Sequence, residues 1–367
     1  MKKLTTADVL STLSYYPSIG NAKKITRLEI GHINDTYIIQ EDNGKRYLLQ
    51  RLSPVAFKEP LKVMENIVEV TSFLKESLLK EGKDPSRECL SLIANKEGLY
   101  YTNKEDGCWR IYNFIEGSTS YDSPKNEEMF KEAARAFGRF QYLLRDFPSE
   151  KLFETIPHFH DTPKRVKDFL LAVKENRSNR KENAKEAIEF ALERKDKVSL
   201  VVDGLKDGSI PLRSTHNDTK LNNVLFDINT DKALCVVDLD TIMPGSALYD
   251  FGDSIRFGAN TAKEDEKDLE KIHFSLPLFK AYTEGFLEGV NGSLVEKEIR
   301  LFPYSAWLMT YECGIRFLGD YLNGDIYFHT AYPEHNLVRA IDQFTLLKDM
   351  ERQMDEAESF ISSLLNK

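Results

Sequence analysis

Ser214-Thr-His-Asn-Asp-Thr-Lys-Leu-Asn-Asn-Val-Leu-Phe226 is followed closely by Ala233-Leu-Cys-Val-Val-Asp-Leu-Asp240. Val224-Leu-Phe226 and Leu234-Cys-Val-Val237 are short apolar runs, and the intervening Asp227-Ile-Asn-Thr-Asp-Lys232 is rich in turn-forming residues. The pair predicts a β-hairpin. Folded about Asn229 to Asp231, its ladder would join residues whose numbers sum to about 461, which sets Asn223 opposite Asp238. An amide oxygen and a carboxylate then converge on one spot. Such a pair suits Mg²⁺, a hard cation that takes one or two protein oxygens and completes its shell with phosphates and water.

Asp218 lies in the loop that enters the hairpin, ahead of Asn223. The order His216, Asp218, Asn223, Asp238 is the one that ATP-dependent phosphoryl transfer uses for a base and two metal ligands. From this loop Asp218 could accept the proton of a hydroxyl group as its oxygen attacks the γ-phosphorus of ATP. His216 reads as a residue that orients the loop. A polar loop before an ordinary hairpin would match part of this pattern by accident. Asp238 and Asp240, however, end an apolar strand, where an acidic pair needs a cation or strong donors to offset its desolvation.

These residues resemble the signature of the aminoglycoside phosphotransferase and choline kinase superfamily, His-x-Asp-x-x-x-x-Asn followed by a hydrophobic-Asp segment. A narrower resemblance, to N-acetylhexosamine 1-kinases, covers most of the chain. It is carried by Gly31-His-Ile-Asn-Asp-Thr-Tyr37, Leu49-Gln-Arg51, Ile156-Pro-His-Phe-His-Asp-Thr-Pro163, His216-Asn-Asp-Thr-Lys220, Val237-Asp-Leu-Asp-Thr241, Asp250-Phe-Gly-Asp253 and Gly314-Ile-Arg-Phe-Leu318. It implies an α+β, bilobal, protein-kinase-like fold with a small β-rich N-lobe and a larger, mainly helical C-lobe.

With 367 residues, 41% hydrophobic and 30% charged, the chain is long enough for two lobes with sizeable cores. The net charge of -9 argues against nucleic acid, which rewards basic surfaces. No apolar stretch approaches the length of a membrane span, and Met1-Lys-Lys-Leu-Thr-Thr-Ala-Asp8 lacks the apolar block of a signal peptide. Cys89, Cys108, Cys235 and Cys313 are scattered without metal-ligand spacing and read as reduced thiols of a cytoplasmic protein. The charge runs from 174 to 197 and from 263 to 271 read as solvated helix faces. No obligate protein partner is evident.

Strand patterns at Thr26–Ile30, Thr36–Ile39, Arg46–Leu49 and Trp109–Tyr112, a turn at Asp42-Asn-Gly44 and a helical stretch from Lys62 to Lys80 predict an N-lobe over residues 1–115. Residues 116–367 turn mainly helical and predict the C-lobe. Ile30-Gly-His-Ile-Asn-Asp-Thr-Tyr37 lies where a phosphate loop would lie in such a lobe, although it carries one glycine. The phosphate-anchoring lysine of kinases is missing; Leu48-Leu-Gln-Arg51 stands in its place. Gln50 and Arg51 face opposite sides of the strand, so one alone points inward, and Arg51 is favoured for the α- and β-phosphates. Glu65 and Glu69 are its candidate partners, or else surface carboxylates.

The resemblance further implies that Asn113 and Ile115, in the segment Tyr112-Asn-Phe-Ile-Glu-Gly117, offer main-chain groups to adenine. It implies that Asp250 braces the catalytic loop by accepting hydrogen bonds. It places His32, Arg316 and Tyr327 on the sugar, with Asp218 and Asp238 at its reactive hydroxyl. The expected reaction is transfer of phosphate from ATP, with Mg²⁺, to the anomeric hydroxyl of N-acetylglucosamine or N-acetylgalactosamine. Two alternatives remain open at this stage: the same chemistry on an aminoglycoside, choline or another sugar, and a nucleotide-binding pseudokinase.

Overall fold

The computed structural model describes residues 4–28 and 33–366. The chain opens with helix α1 (Thr6–Leu13), whose start is signalled by a capping box: Thr5 accepts from the Asp8 amide, and Asp8 accepts from the Thr5 amide at 2.8 Å. Strands β1 (Ala22–Leu28), β2 (Asp35–Glu41), β3 (Arg46–Arg51), β4 (Thr102–Lys104) and β5 (Gly107–Asn113) form an antiparallel sheet in the order β1-β2-β3-β5-β4. The β2–β3 turn falls at Asp42–Gly44, with Gly44 at φ +90°, a left-handed conformation that glycine adopts without strain.

Alternation gives the sheet two faces. Tyr37, Ile39, Tyr47, Leu49, Trp109 and Ile111 pack on Val9, Tyr16 and Ile19 to make a small outer core under α1. The sequence reading placed one helix on this sheet and missed α1. Helix α2 (Pro60–Lys80) covers the other side with Val63, Met64, Ile67, Val70, Leu74 and Leu78, and the core it builds runs on without a break into the second lobe. Asn66 fastens it there, donating to the carbonyls of Phe153 (2.8 Å) and Ile242 (2.9 Å) and accepting from the Phe153 amide (2.9 Å). A short α3 (Pro85–Glu88) follows.

The sheet ends at Asn113, and the next strand, β6 (Ser118–Thr119), already belongs to the other lobe. Between them Arg46 forms an ion pair with Glu116 and covers the Phe114 ring at 4.0 Å, while Gly117 turns at φ +66°. The C-lobe carries β7 (Arg213–Thr215), β8 (Val224–Asp227), β9 (Ala233–Val236) and β10 (Met243–Gly245), paired as β6-β8-β9 and β10-β7. Its helices are α4 (Glu127–Leu143), α5 (Thr162–Glu175), α6 (Lys185–Leu192), α7 (Leu200–Asp207), α8 (Ala247–Gly258), α9 (Leu276–Val290), α10 (Glu296–Arg300), α11 (Phe302–Asn323), α12 (His335–Arg352) and α13 (Met354–Leu365). Helices α4 and α9 approach so closely that a methyl added at Gly138 would lie 2.4 Å from the Phe286 carbonyl oxygen. This contact fixes α4, which carries Gln141 to the Ser214 carbonyl and Asp250 beside the β7–β8 loop. All four cysteines are free thiols, and no helix among the described residues is long and apolar enough to cross a membrane.

Candidate active site

The loop between β7 and β8 is held from both ends. Asp250, in the first turn of α8, accepts from the amides of His216 (3.0 Å) and Asn217 (2.7 Å) and from the Gln141 side chain (2.7 Å). Burial pushes its carboxyl up; His216 and these donors pull the other way without cancelling the rise. Asn217 takes a left-handed φ of +65°, tolerated by Asn, and its amide group donates to the carbonyls of Thr215 and Thr241, both at 2.9 Å. His216 bonds the Val237 carbonyl through Nε2 at 2.8 Å and receives the Asp218 amide on Nδ1 at 3.3 Å. The histidine therefore orients the loop, and Asp250 braces it.

Asp218 faces the cleft at the tip of this braced loop. Lys220 Nζ lies 2.9 Å from one carboxylate oxygen, and Asn223 Nδ2 donates to the Asp218 carbonyl at 2.8 Å and to the other carboxylate oxygen at 3.4 Å. Enclosure pushes the Asp218 carboxyl up, but Lys220, His216 and Arg256 outweigh it and hold the group below the usual carboxylate range. Lys220, raised in turn by Asp218, is a cleft cation to which the sequence alone assigns no role. Its spacing of two from Asp218 was the available signal.

The β8–β9 hairpin forms, but its register differs by one residue from the expected ladder. Val224 pairs with Val236, and the Val237 amide donates to the Asn223 carbonyl at 2.9 Å, so Asn223 lies opposite Val237 and not opposite Asp238. The departure begins at the turn, where the Asp227 amide bonds the Lys232 carbonyl and Phe226 faces Ala233, and the shift between Leu225 and Phe226 takes back one residue of it. Asp238 leaves the strand through a left-handed turn at φ +61°, ψ +58°. Its side chain opens onto the cleft and makes no hydrogen bond or ion pair among the described residues. Enclosure by the cleft walls, with Asp240 and Asp218 near, pushes its carboxyl up to about 7; its contact with cleft solvent relieves part of that desolvation. An unpartnered carboxylate and the Asn223 amide oxygen are hard donors of the kind that fit a divalent cation.

Arg51 does not face this cleft. It shares the outer face with Tyr47 and Leu49, is 4% exposed, and binds Asp35 through Nη2 at 2.6 Å and Nε at 3.1 Å. The assignment of Arg51 to the phosphates is corrected on this geometry, because strand alternation turns Gln50 inward instead. Gln50 accepts from Arg110 Nε (3.0 Å) and Nη2 (2.8 Å), and Arg110 Nη1 lies 2.5 Å from Asp240. Glu65 and Glu69 are exposed on α2 and pair with neither arginine. At the hinge the Asn113 amide donates to the Ser91 carbonyl at 2.9 Å and the Ile115 carbonyl accepts from Ser118 at 2.6 Å. The main-chain groups left to serve a ligand are the Asn113 carbonyl and the Ile115 amide. His32 lies outside the described residues.

On the far side of Asp218, the segment Ile156–Pro163 enters α5. Arg165 grips the Phe159 carbonyl at 3.1 and 3.2 Å, and Asp161 caps the helix by accepting from the Lys164 amide at 3.1 Å. His160 spans 2.8 Å to Glu312 on α11 and 3.2 Å to the Asn217 carbonyl, which ties α11 to the catalytic loop. One turn along α11, the Arg316 guanidinium is ringed by Phe159 (5.3 Å), Phe328 (5.6 Å) and Tyr327 (5.9 Å) and makes no hydrogen bond or ion pair among the described residues. After α11 ends at Gly324, the Asp320 carboxylate accepts the amides of Ile326 (3.0 Å), Tyr327 (2.9 Å) and Phe328 (2.9 Å). That carboxylate fixes a loop on which Tyr327 stands 66% exposed beside Arg316. The sequence assigns a role to Arg316 and Tyr327 but none to His160, Glu312 or Asp320; His160 and Glu312 meet across 152 residues of chain.

Comparison with known proteins bears on the fold. Spectinomycin phosphotransferase APH(9)-Ia, in complex with ADP and spectinomycin, superposes with a TM-score of 0.62 at 12% identity, covering 96% of this chain and 99% of its own. Choline kinase from Cryptosporidium parvum Iowa II gives 0.60 at 16% identity, covering 99% and 100%. A microcompartment-associated aminopropanol kinase gives 0.59 at 14% identity, covering 96% and 99%. At such identities these likenesses show the fold, a bilobal kinase-like one. Residues 24–277 match the phosphotransferase enzyme family, APH, and the chain belongs to that family.

Proposed function

We propose that the protein is an ATP- and Mg²⁺-dependent kinase that phosphorylates the anomeric hydroxyl of an N-acetylhexosamine, giving the 1-phosphate and ADP. The single observation that carries the acceptor is Arg316. A guanidinium that makes no hydrogen bond or ion pair among the described residues, with the Glu312 carboxylate near enough to act on its charge, has its donors free for a neutral molecule rich in hydroxyl and carbonyl oxygens and offers nothing to the ammonium groups of choline, aminopropanol or an aminoglycoside. The surrounding rings suit the C–H face of a sugar.

In this reading adenine lies at the hinge, against the Asn113 carbonyl and the Ile115 amide, with the phosphates directed toward Lys220 and Asp238. Asn223 and Asp238 would hold Mg²⁺, which when bound neutralises phosphate charge. Asp218 accepts a hydrogen bond from the acceptor hydroxyl and orients its lone pair at the γ-phosphorus. As the new P–O bond forms and the bond to the ADP oxygen breaks, the hydroxyl proton passes to the Asp218 carboxylate. His216 and Asp250 keep the Asp218 backbone fixed through that step, so positioning supplies much of the rate.

The test is ADP release from Mg²⁺-ATP over N-acetylglucosamine, N-acetylgalactosamine, glucose, galactose, choline and kanamycin, with acid lability of the product as the mark of an anomeric phosphate. Turnover of an acetylated sugar to an acid-labile product supports the proposal. Activity confined to choline or kanamycin would retain the chemistry and reject the acceptor, and ATP binding with no turnover on any of the six would favour a pseudokinase.

A further inference from the structure

Asp238 and Asp240 stand two residues apart and have opposite surroundings. Asp238 opens onto the cleft without a partner among the described residues. Asp240 is 4% exposed, and each of its carboxylate oxygens is taken by the other lobe: Arg110 Nη1 lies 2.5 Å from Oδ1, and Asn34 Nδ2 donates to Oδ2 at 2.6 Å. Arg110, on β5, is itself 1% exposed. It donates twice to Gln50 on β3, and Gln50 donates to Thr36 on β2 at 3.2 Å. Asn34 in turn accepts from the Ser53 amide at 3.0 Å. One connected set of polar contacts thus runs from three strands of the sheet into the turn that carries Asp238.

A buried ion pair of this kind adds little net stability over an apolar pair of the same shape, yet it fixes relative position because neither charge can be left alone. We propose that Asp240 is a positioning residue, an interlobe latch held by Arg110, Gln50 and Asn34, and not a metal ligand. Its oxygens are spoken for, whereas those of Asp238 are open. The latch sets the height of Asp238 beneath the end of β2, so that closing the sheet over a nucleotide and presenting the metal ligand become one event. Glu65 and Glu69, exposed on α2, take no part in it.

The inference rests on the reading of the cleft as a nucleotide site. Mn²⁺ binding in the presence of ADP, followed by electron paramagnetic resonance on the full chain, is to be read beside ADP-dependent hydrogen exchange of the β5 amides. Asp238→Asn should weaken Mn²⁺ about tenfold or more. Asp240→Asn should keep Mn²⁺ near wild-type affinity and lose the ADP-dependent protection of β5. Asn34→Ala removes one bond without stranding the Arg110 charge, so it carries the test if Asp240→Asn does not fold, and it should lose part of that protection. Loss of Mn²⁺ by Asp240→Asn equal to that by Asp238→Asn, with ADP still bound, would overturn the latch alone. Wild-type protection in Asn34→Ala would also overturn it. Failure of the wild-type protein to bind ADP would instead remove the nucleotide reading and the latch together.

Discussion

On the side of the cleft that carries Asp218, the backbone from His216 to Thr219 is tied at every residue to Asp250, Thr241, Ser254 or the His216 ring. The side that carries Arg316 is built from rings and a charge, with Tyr327 66% exposed and the guanidinium unbonded among the described residues. One side is rigid through saturated hydrogen bonding; the other is shaped but leaves donors to spare. Chemistry that must repeat on every turnover belongs on the first, and recognition that completes itself only with a ligand belongs on the second.

The contrast is tested most severely at Asp218. Asp218→Asn is expected to lower kcat by about 10²- to 10⁴-fold while ADP affinity, measured by calorimetry, stays near wild type. A variant with unaltered turnover would take Asp218 out of the chemistry. The next effect is on the brace. Asp250→Ala strands the His216 and Asn217 amides and the Gln141 side chain, and the urea midpoint should fall by the equivalent of about 3 kcal/mol. A loss no larger than that of a surface alanine would show that the loop holds itself.

On the other side, Arg316→Ala should raise KM for the acceptor by about 10- to 100-fold with KM for ATP unchanged. Equal damage to both constants would mean that Arg316 shapes the whole cleft and not the acceptor wall. The smallest effect concerns pH. Because the Asp238 carboxyl is raised to about 7 in the folded protein, the folded state holds its proton more tightly than the unfolded chain does. The unfavourable contribution is therefore absent below the ordinary Asp range, grows as pH rises toward 7, and is complete above it. Melting temperature of the ligand-free protein should fall by a few degrees between pH 5 and pH 8, and the fall should shrink in Asp238→Asn. A flat profile in the wild type would show that cleft solvent already satisfies the carboxylate.

What the sequence disclosed follows the range of the interactions involved. The hairpin after Asn223 was readable because its turn and its apolar runs are adjacent, but its register was not. It depends on which pair closes the turn, Asp227 with Lys232, and on the shift between Leu225 and Phe226, neither of which the apolar runs specify. Alternation reduced the phosphate question to Gln50 or Arg51 and could go no further, since the choice depends on Trp109 and Tyr47 claiming the Arg51 side for the outer core. Arg110 and Asp240, far apart in the chain, carried no mutual signal at all. Likewise Asp320 reads as one more helix acid until the three amides of the following loop are seen to converge on it.

Helix α2 lies between β3 and β4 in sequence but shares its apolar face with the larger lobe, where Asn66 grips Phe153 and Ile242. A fragment ending at the hinge would therefore keep α2 against Leu52, Phe57, Cys89 and Cys108 but lose the larger-lobe residues that complete the core around Val63, Ile67, Val70 and Leu74. The two lobes are thus poor candidates for separate expression or for shuffling between relatives at residue 116. A recombination point that respects the packing would move α2 together with the C-terminal partner and leave the sheet to be exchanged around it.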